Sequence, residues 1–176
     1  MRPEAPRAGS SRPARIVIGA VTALSITCGL AAAPVADAAP RVDRVERGVV
    51  KRLNGIRAGN GLPPLKLDRR LVKAADAHSA DMVRADFFAH SSSDGTPFAQ
   101  RILLYTRKRE TGETLAYLSA AERRKAARVV QMWMSSPGHR QALLTPAFRR
   151  IGVAKRKGVI YGQRSLVFTA DLATPR

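Results

Sequence analysis

The chain has 176 residues, a formal net charge of +18 and one cysteine. That length allows one domain and little more. The charge favours anionic partners, and a lone cysteine excludes a disulfide framework within the chain.

Arg2, Arg7, Arg12 and Arg15 form a basic leader, and Ile16 to Val35 is apolar and uncharged. Ala36-Asp37-Ala38 fits a small-residue cleavage site. Residues 1–38 therefore read as a signal peptide, and 39–176 as a single secreted domain with no membrane span after cleavage. The apolar run is also about long enough to cross a bilayer, but its alanine-rich end favours cleavage over retention as an anchor. Cys28 lies inside the run, and Ser25-Ile26-Thr27 before it makes a poor lipoprotein signal. Without the four leader arginines, Glu4 and Asp37, the remaining charge is +16. An exported protein so charged meets anionic cell-envelope polymers or lipid head groups before it meets nucleic acid. The plainer reading is a solvated basic surface.

Val42, Val45, Val49, Leu53 and Ile56 recur at helical steps, predicting a helix from about Val42 to Arg57. Gly59-Asn60-Gly61 stops it, and Leu62-Pro63-Pro64-Leu65 crosses in extended form. Asp68 caps a second helix from about Arg69 to Asp86. His78 falls within its apolar stripe, and reads first as a core histidine bonded to nearby backbone. The alternative is that this face looks into a pocket.

Phe87 and Phe88 anchor the end of that helix and place His90 at the mouth of a polar loop, Ser91 to Gly95. Thr96-Pro97 opens a short helix through about Leu104, and a strand edge is expected within Glu110 to Leu118. Ser119-x-x-Glu122 has the form of a capping box opening a helix through about Ser135. Arg123, Arg124, Lys125 and Arg128 crowd its start, where cations oppose the helix dipole, so they form a candidate anion patch; the commoner reading of such a run is a solvated face. Ile151 to Ala154, Val159 to Gly162 and Leu166 to Leu172 read as strands, with Lys155 to Gly158 as a turn.

The stretch Trp133-Met-Ser-Ser-Pro-Gly-His-Arg140 closes one helix and opens the next. Ser136 suits the N-cap and Pro137 the first helical position. His139 then stands near the third, close to the positive end of the dipole, where a histidine stays neutral and open to a metal or a proton.

These residues together resemble the bacterial form of the CAP superfamily (cysteine-rich secretory proteins, antigen 5 and pathogenesis-related proteins; the SCP-like extracellular domain). The ordered set is Leu53-Asn54-x-x-Arg57 with Gly61-Leu62-x-Pro64-Leu65; Ala75-x-x-His78-Ser79-x-Asp81-Met82; Phe87-Phe88-x-His90-x-Ser92-x-Asp94-Gly95; Gly112-Glu113; Trp133-Met134-x-Ser136-Pro137-Gly138-His139-Arg140; and Phe148-x-x-Ile151-Gly152-Val153. The resemblance implies an α+β fold, a three-layer α-β-α sandwich around a largely antiparallel sheet. It implies a cleft of two histidines and two acidic groups, in which several members bind a divalent metal. By motif the histidines are His90 and His139 and one acid is Glu113. The second acidic position is Ser136 here, so three of the four groups are kept. The asparagine usual after the glutamate is Thr114, and the glutamine usual in the last strand is Ala170.

Two neutral imidazoles and a carboxylate suit zinc or a similar ion. Either all three are ligands, or His90 and His139 hold the metal and Glu113 acts through a water as general base. Three readings compete. The first is a non-enzymatic module binding a small hydrophobic ligand or an envelope component, since relatives have been associated with sterol or fatty-acid binding. The second is a metal-assisted hydrolase using His90, His139 and Glu113. The third is a charge-driven domain on anionic envelope polymers. The absence of a His-Glu-x-x-His motif and of a nucleophile elbow leans the reading away from an enzyme.

Overall fold

The computed structural model describes residues 40–107 and 110–175. The predicted leader, 1–38, lies outside them. The described chain runs α1 (Arg44–Gly59), β1 (Lys66–Leu67), α2 (Arg69–Arg84), α3 (Phe98–Leu103), β2 (Thr111–Ser119), α4 (Lys125–Ser135), α5 (Pro137–Leu144), β3 (Arg150–Ile160) and β4 (Gln163–Ala173).

The four strands form one sheet in the order β1-β3-β4-β2. β1 pairs parallel with β3, and the β3–β4 and β4–β2 pairs are antiparallel. Alternation along β4 sends Leu166, Phe168, Ala170 and Leu172 to one face, where they pack with Leu53, Val129, Val130 and Trp133 of α1 and α4. The other face carries Val167 against Met82 of α2, and Ala173 against Leu71 and Ile102. This is the expected α-β-α sandwich. Trp133 is fully buried, and its Nε1–H donates to the Leu115 carbonyl at 2.9 Å, tying α4 to β2. Arg57 is also buried and donates to the carbonyls of Pro63, Leu143, Thr145 and Phe148, so α1 is bound to the chain entering β3.

Local chemistry explains where elements differ from expectation. Asp43 accepts from the backbone N–H of Val45 and Glu46, and the Glu46 side chain bonds back, so α1 starts two residues late behind a full capping box. The expected box at Ser119 does not form. Ser119 ends β2, its hydroxyl accepts from Ala121 N–H at 3.3 Å, and α4 begins only at Lys125 with no side-chain cap. The expected turn at Lys155 to Gly158 is continuous strand. Lys155 pairs with Asp43 at 2.5 Å and Arg156 with Asp76, so partners on α2 and ahead of α1 hold this basic run. The reversal occurs instead at Tyr161-Gly162, both at positive φ (49° and 76°), as a two-residue hairpin requires.

Gly152 and Gly158 of β3 serve close packing. A Cβ on Gly152 would stand 2.0 Å from the Leu71 carbonyl carbon, and one on Gly158 would stand 2.1 Å from Val83 Cγ1. α2 therefore lies directly on β3. Gly152→Ala should cost at least about 3 kcal/mol, because helix backbone and not a movable side chain must yield. Urea unfolding of the variant checks this, and an unchanged midpoint would show that α2 moves freely.

Candidate functional site

Glu113 and Asp171 are opposed partners on β2 and β4, and both point to the α2 face. Both side chains are wholly removed from solvent. Elements around that face supply neutralising groups. The Arg101 guanidinium of α3 donates to Glu113 Oε2, and its other terminal nitrogen lies 3.8 Å from Asp171 Oδ2. His78 of α2 approaches Glu113 Oε2 to 3.9 Å. Its Nε2 is bonded to the Ala89 carbonyl at 2.9 Å, and donates because a carbonyl only accepts. The core-histidine reading thus describes His78, which also borders the site.

Glu113 Oε1 reaches outward to His90 Nδ1 at 2.8 Å. The carboxylate accepts, so Nδ1 carries a proton and donates it. Among the described residues Nε2 makes no hydrogen bond, and the side chain is half exposed. Arg101 also donates to the His90 carbonyl at 3.3 Å, holding backbone and ring of this loop residue from below. Phe98 packs against the ring at a centroid distance of 6.0 Å. His139 stands opposite, its centroid 6.4 Å from that of His90. It is the third residue of α5, behind Pro137 at the first position.

Three of the four expected cleft residues therefore meet. Ser136 occupies the N-cap position of α5, but its side chain makes no capping bond. The cap expected of it is absent, and among the described residues it bonds to none of the other three. Arg101 and Asp171 were not singled out in the sequence. Asp171 had a signal, as a lone carboxylate in the apolar run Leu166 to Leu172. A buried charge needs a partner. Arg101, one of many arginines, had none.

Burial would raise the Glu113 carboxyl, but its bond from His90, the Arg101 charge and His78 bring it below the ordinary value. Glu113 is therefore ionised. Burial pushes Asp171 well up, the Glu113 charge adds to this, and Arg101 only partly offsets it. Such a rise follows where two close carboxyls share one cation. Burial lowers His78 against the pull of Glu113. Burial and the facing His90 lower His139. The cleft thus presents imidazole nitrogen as acceptor or ligand, with negative charge confined behind it.

Residues 50–168 match the profile of the cysteine-rich secretory protein family, CAP. The chain belongs to the CAP family. YkwD of Bacillus subtilis (strain 168) is 36% identical over 113 residues, 64% of this chain and 42% of that protein. The membrane protein YlbC of the same organism is 29% identical over 109 residues, 61% of this chain and 30% of that protein. The chain thus spans less than half the length of these two relatives. Among solved CAP-like folds, an extracellular Bacillus anthracis protein containing an SCP domain matches with TM-score 0.60 and 26% identity, over 73% of this chain and 40% of that one. An outer surface protein of Borrelia burgdorferi matches with TM-score 0.67 and 23% identity, over 78% and 97%. The range matched by the family profile includes Glu113, His90 and His139.

Two predictions concern the buried layer. Arg101→Met strips Glu113 of its inner partner and should cost about 3–5 kcal/mol at neutral pH. The deficit should shrink on acidification as the stranded carboxylate takes a proton. Urea melts at about pH 7 and about pH 4 check this, and an equal deficit at both would argue against a charge effect. The second concerns His78. A lowered histidine value stabilises the fold above about pH 6.5 and loses that contribution as pH falls below it. Lowered Glu113 acts in the same direction further into acid, while raised Asp171 acts oppositely, its contribution fading as pH rises. Stability should therefore begin to fall below about pH 6.5. His78→Gln, which keeps a donor for Ala89, should reduce that first loss, and an unaltered profile would refute the role given to His78.

Proposed function

We propose that this CAP domain is an exported, non-catalytic binding module whose recognition element is the cleft between His90 and His139. The observation that carries the reading is the His90–Glu113 bond at 2.8 Å. It engages Nδ1 with the buried carboxylate and leaves Nε2 without a protein partner, in a ring that stands beside a second imidazole. A carboxylate that orients a histidine this way raises its basicity and fixes its tautomer. The extracellular and outer-surface relatives, together with the leader, support export.

The donor set fits a divalent ion held by two nitrogens. His90 Nε2 and a ring nitrogen of His139 would be the ligands, and Glu113 would steady His90 from behind. Glu113 fits poorly as a third ligand, since His90 and Arg101 take its two oxygens. Among the described residues no cluster of three or more histidine, cysteine or acidic groups is placed to hold a metal. A structural zinc cage is therefore not the reading, and an open two-histidine site is. When bound, such an ion would offer coordination positions to an oxygen of the ligand. Phe98 beside His90 supplies an apolar wall. A small ligand with an oxygen-bearing head and a hydrocarbon body suits this combination, whether lipid or envelope component.

The same His90–Glu113 pair favours a hydrolase as the second reading. In it His90 and His139 would hold a divalent ion that activates a water, and Glu113 would act behind them as base or support. The binding module is preferred because the sequence lacks the His-Glu-x-x-His motif in which zinc hydrolases place ligands and base together.

Calorimetric titration with zinc should show weak binding in the wild type that disappears in the double variant His90→Ala, His139→Ala. Glu113→Gln, which keeps an acceptor but loses the charge, should weaken binding by about 10–100-fold. No heat above background in the wild type would remove the metal from the proposal. Turnover of peptide or ester substrates lost on His90→Ala would favour the hydrolase.

A further inference from the structure

α4 is eleven residues long, so its start lies about 15 Å along the helix from the turn that leads to His139. At that start the first half of α1 and the beginning of α4 wall a groove of about 820 Å³. α1 lines it with Arg44, Arg47, Lys51 and Arg52, and the facing wall carries Arg123, Arg124 and Lys125. No acidic residue lines it. Lys155, Arg156, Arg84 and Arg101 each pair with a carboxylate. Among the described residues none of the seven groove cations forms an ion pair. Glu122 stands nearby, but it accepts from the Arg124 backbone N–H at 2.8 Å.

This arrangement works against the stability of the fold. Seven like charges repel across the groove, and the run at Arg123 to Lys125 opposes the positive end of the α4 dipole. No side chain caps α4, and its first turn holds no acid. A bound anion relieves all of these together. Shape narrows its identity. Gly48 and Ala126 let the two helices approach, a Cβ on Gly48 falling 3.3 Å from that of Ala126, so the cations rise above an apolar floor. A flat bilayer does not reach into such a trough, and duplex nucleic acid calls for an element that projects into its own groove. Arg44, Arg47 and Lys51 recur about once per turn, roughly every 5.4 Å, so successive anionic groups of one extended chain each meet a cation.

We propose that the α1–α4 groove binds a flexible, single-chain phosphate polymer of the polyphosphate or polyol-phosphate kind. The site is separate from the histidine cleft and stands whether or not that cleft binds a ligand.

Fluorescence anisotropy with end-labelled inorganic polyphosphate, read on the full chain, tests it. Binding should weaken steeply as salt rises, through release of counterions. Arg44→Gln, Lys51→Gln and Arg123→Gln together should weaken it at least about tenfold and flatten the salt dependence by about one unit per lost contact. All three side chains are exposed, and far-ultraviolet dichroism confirms that the variant folds. Arg69→Gln, Arg70→Gln and Arg149→Gln together remove the same charge elsewhere, and should change affinity by less than about twofold. Zinc binding at the histidines should be unaltered in the groove variant. Equal losses in the two triple variants would overturn the proposal, as would no binding at about 0.15 M salt. So would groove-dependent binding that is tighter to duplex DNA or to anionic phosphatidylglycerol vesicles than to polyphosphate.

Discussion

Glu113 is a carboxylate with no access to water, and the surrounding structure is arranged to keep it charged. Desolvation is met from three directions: Arg101 from α3, His78 from α2, and His90 from the loop between those helices. Each group belongs to a different segment, so a single anion cross-links the layer beneath the cleft. Asp171 shares the same pocket of low dielectric, and burial together with the Glu113 charge pushes its carboxyl well above the ordinary range. Only the outer edge of the network, the His90 ring, reaches solvent.

This explains why the cleft is ordered although His90 lies on a loop. Loops hold side chains loosely unless backbone and ring are both fixed. Here Arg101 bonds the His90 carbonyl and also the carboxylate that bonds its ring. His139 is fixed by other means. Pro137 starts α5 and places it on the first turn, and Leu143 anchors that helix in the core. The two imidazoles are thus positioned by opposite layers of the sandwich and meet at the β2 edge of the sheet.

What the sequence discloses follows the range of the forces involved. Helices α1, α2 and α5 were legible because their signals are local: an apolar stripe, an Asp68 cap, a proline at the first position. The cleft residues were legible through short motifs whose order survives in the chain. Long-range compensation was hidden. Lys155 and Arg156 read as a turn until Asp43, Glu46 and Asp76 came into view, and Ser119-x-x-Glu122 read as a cap although its serine is the last residue of a strand. Arg101 was invisible for the same reason, since its role depends on a carboxylate twelve residues away and another seventy residues away.

The bare backbone at Gly152 and Gly158 has a mechanical meaning. With no side chain between them, helix and strand behave as one plate: α2 has no room to sink toward β3 and little reason to lift from it. His78 rides on that plate, so the floor under Glu113 is rigid. The loop that carries His90 is tied to the same plate, since Ser93 bonds Asp81 of α2 through its backbone N–H and its hydroxyl at 2.8 and 2.7 Å. Helix, strand and loop therefore move together, and His90 shares the stiffness of the layer beneath it.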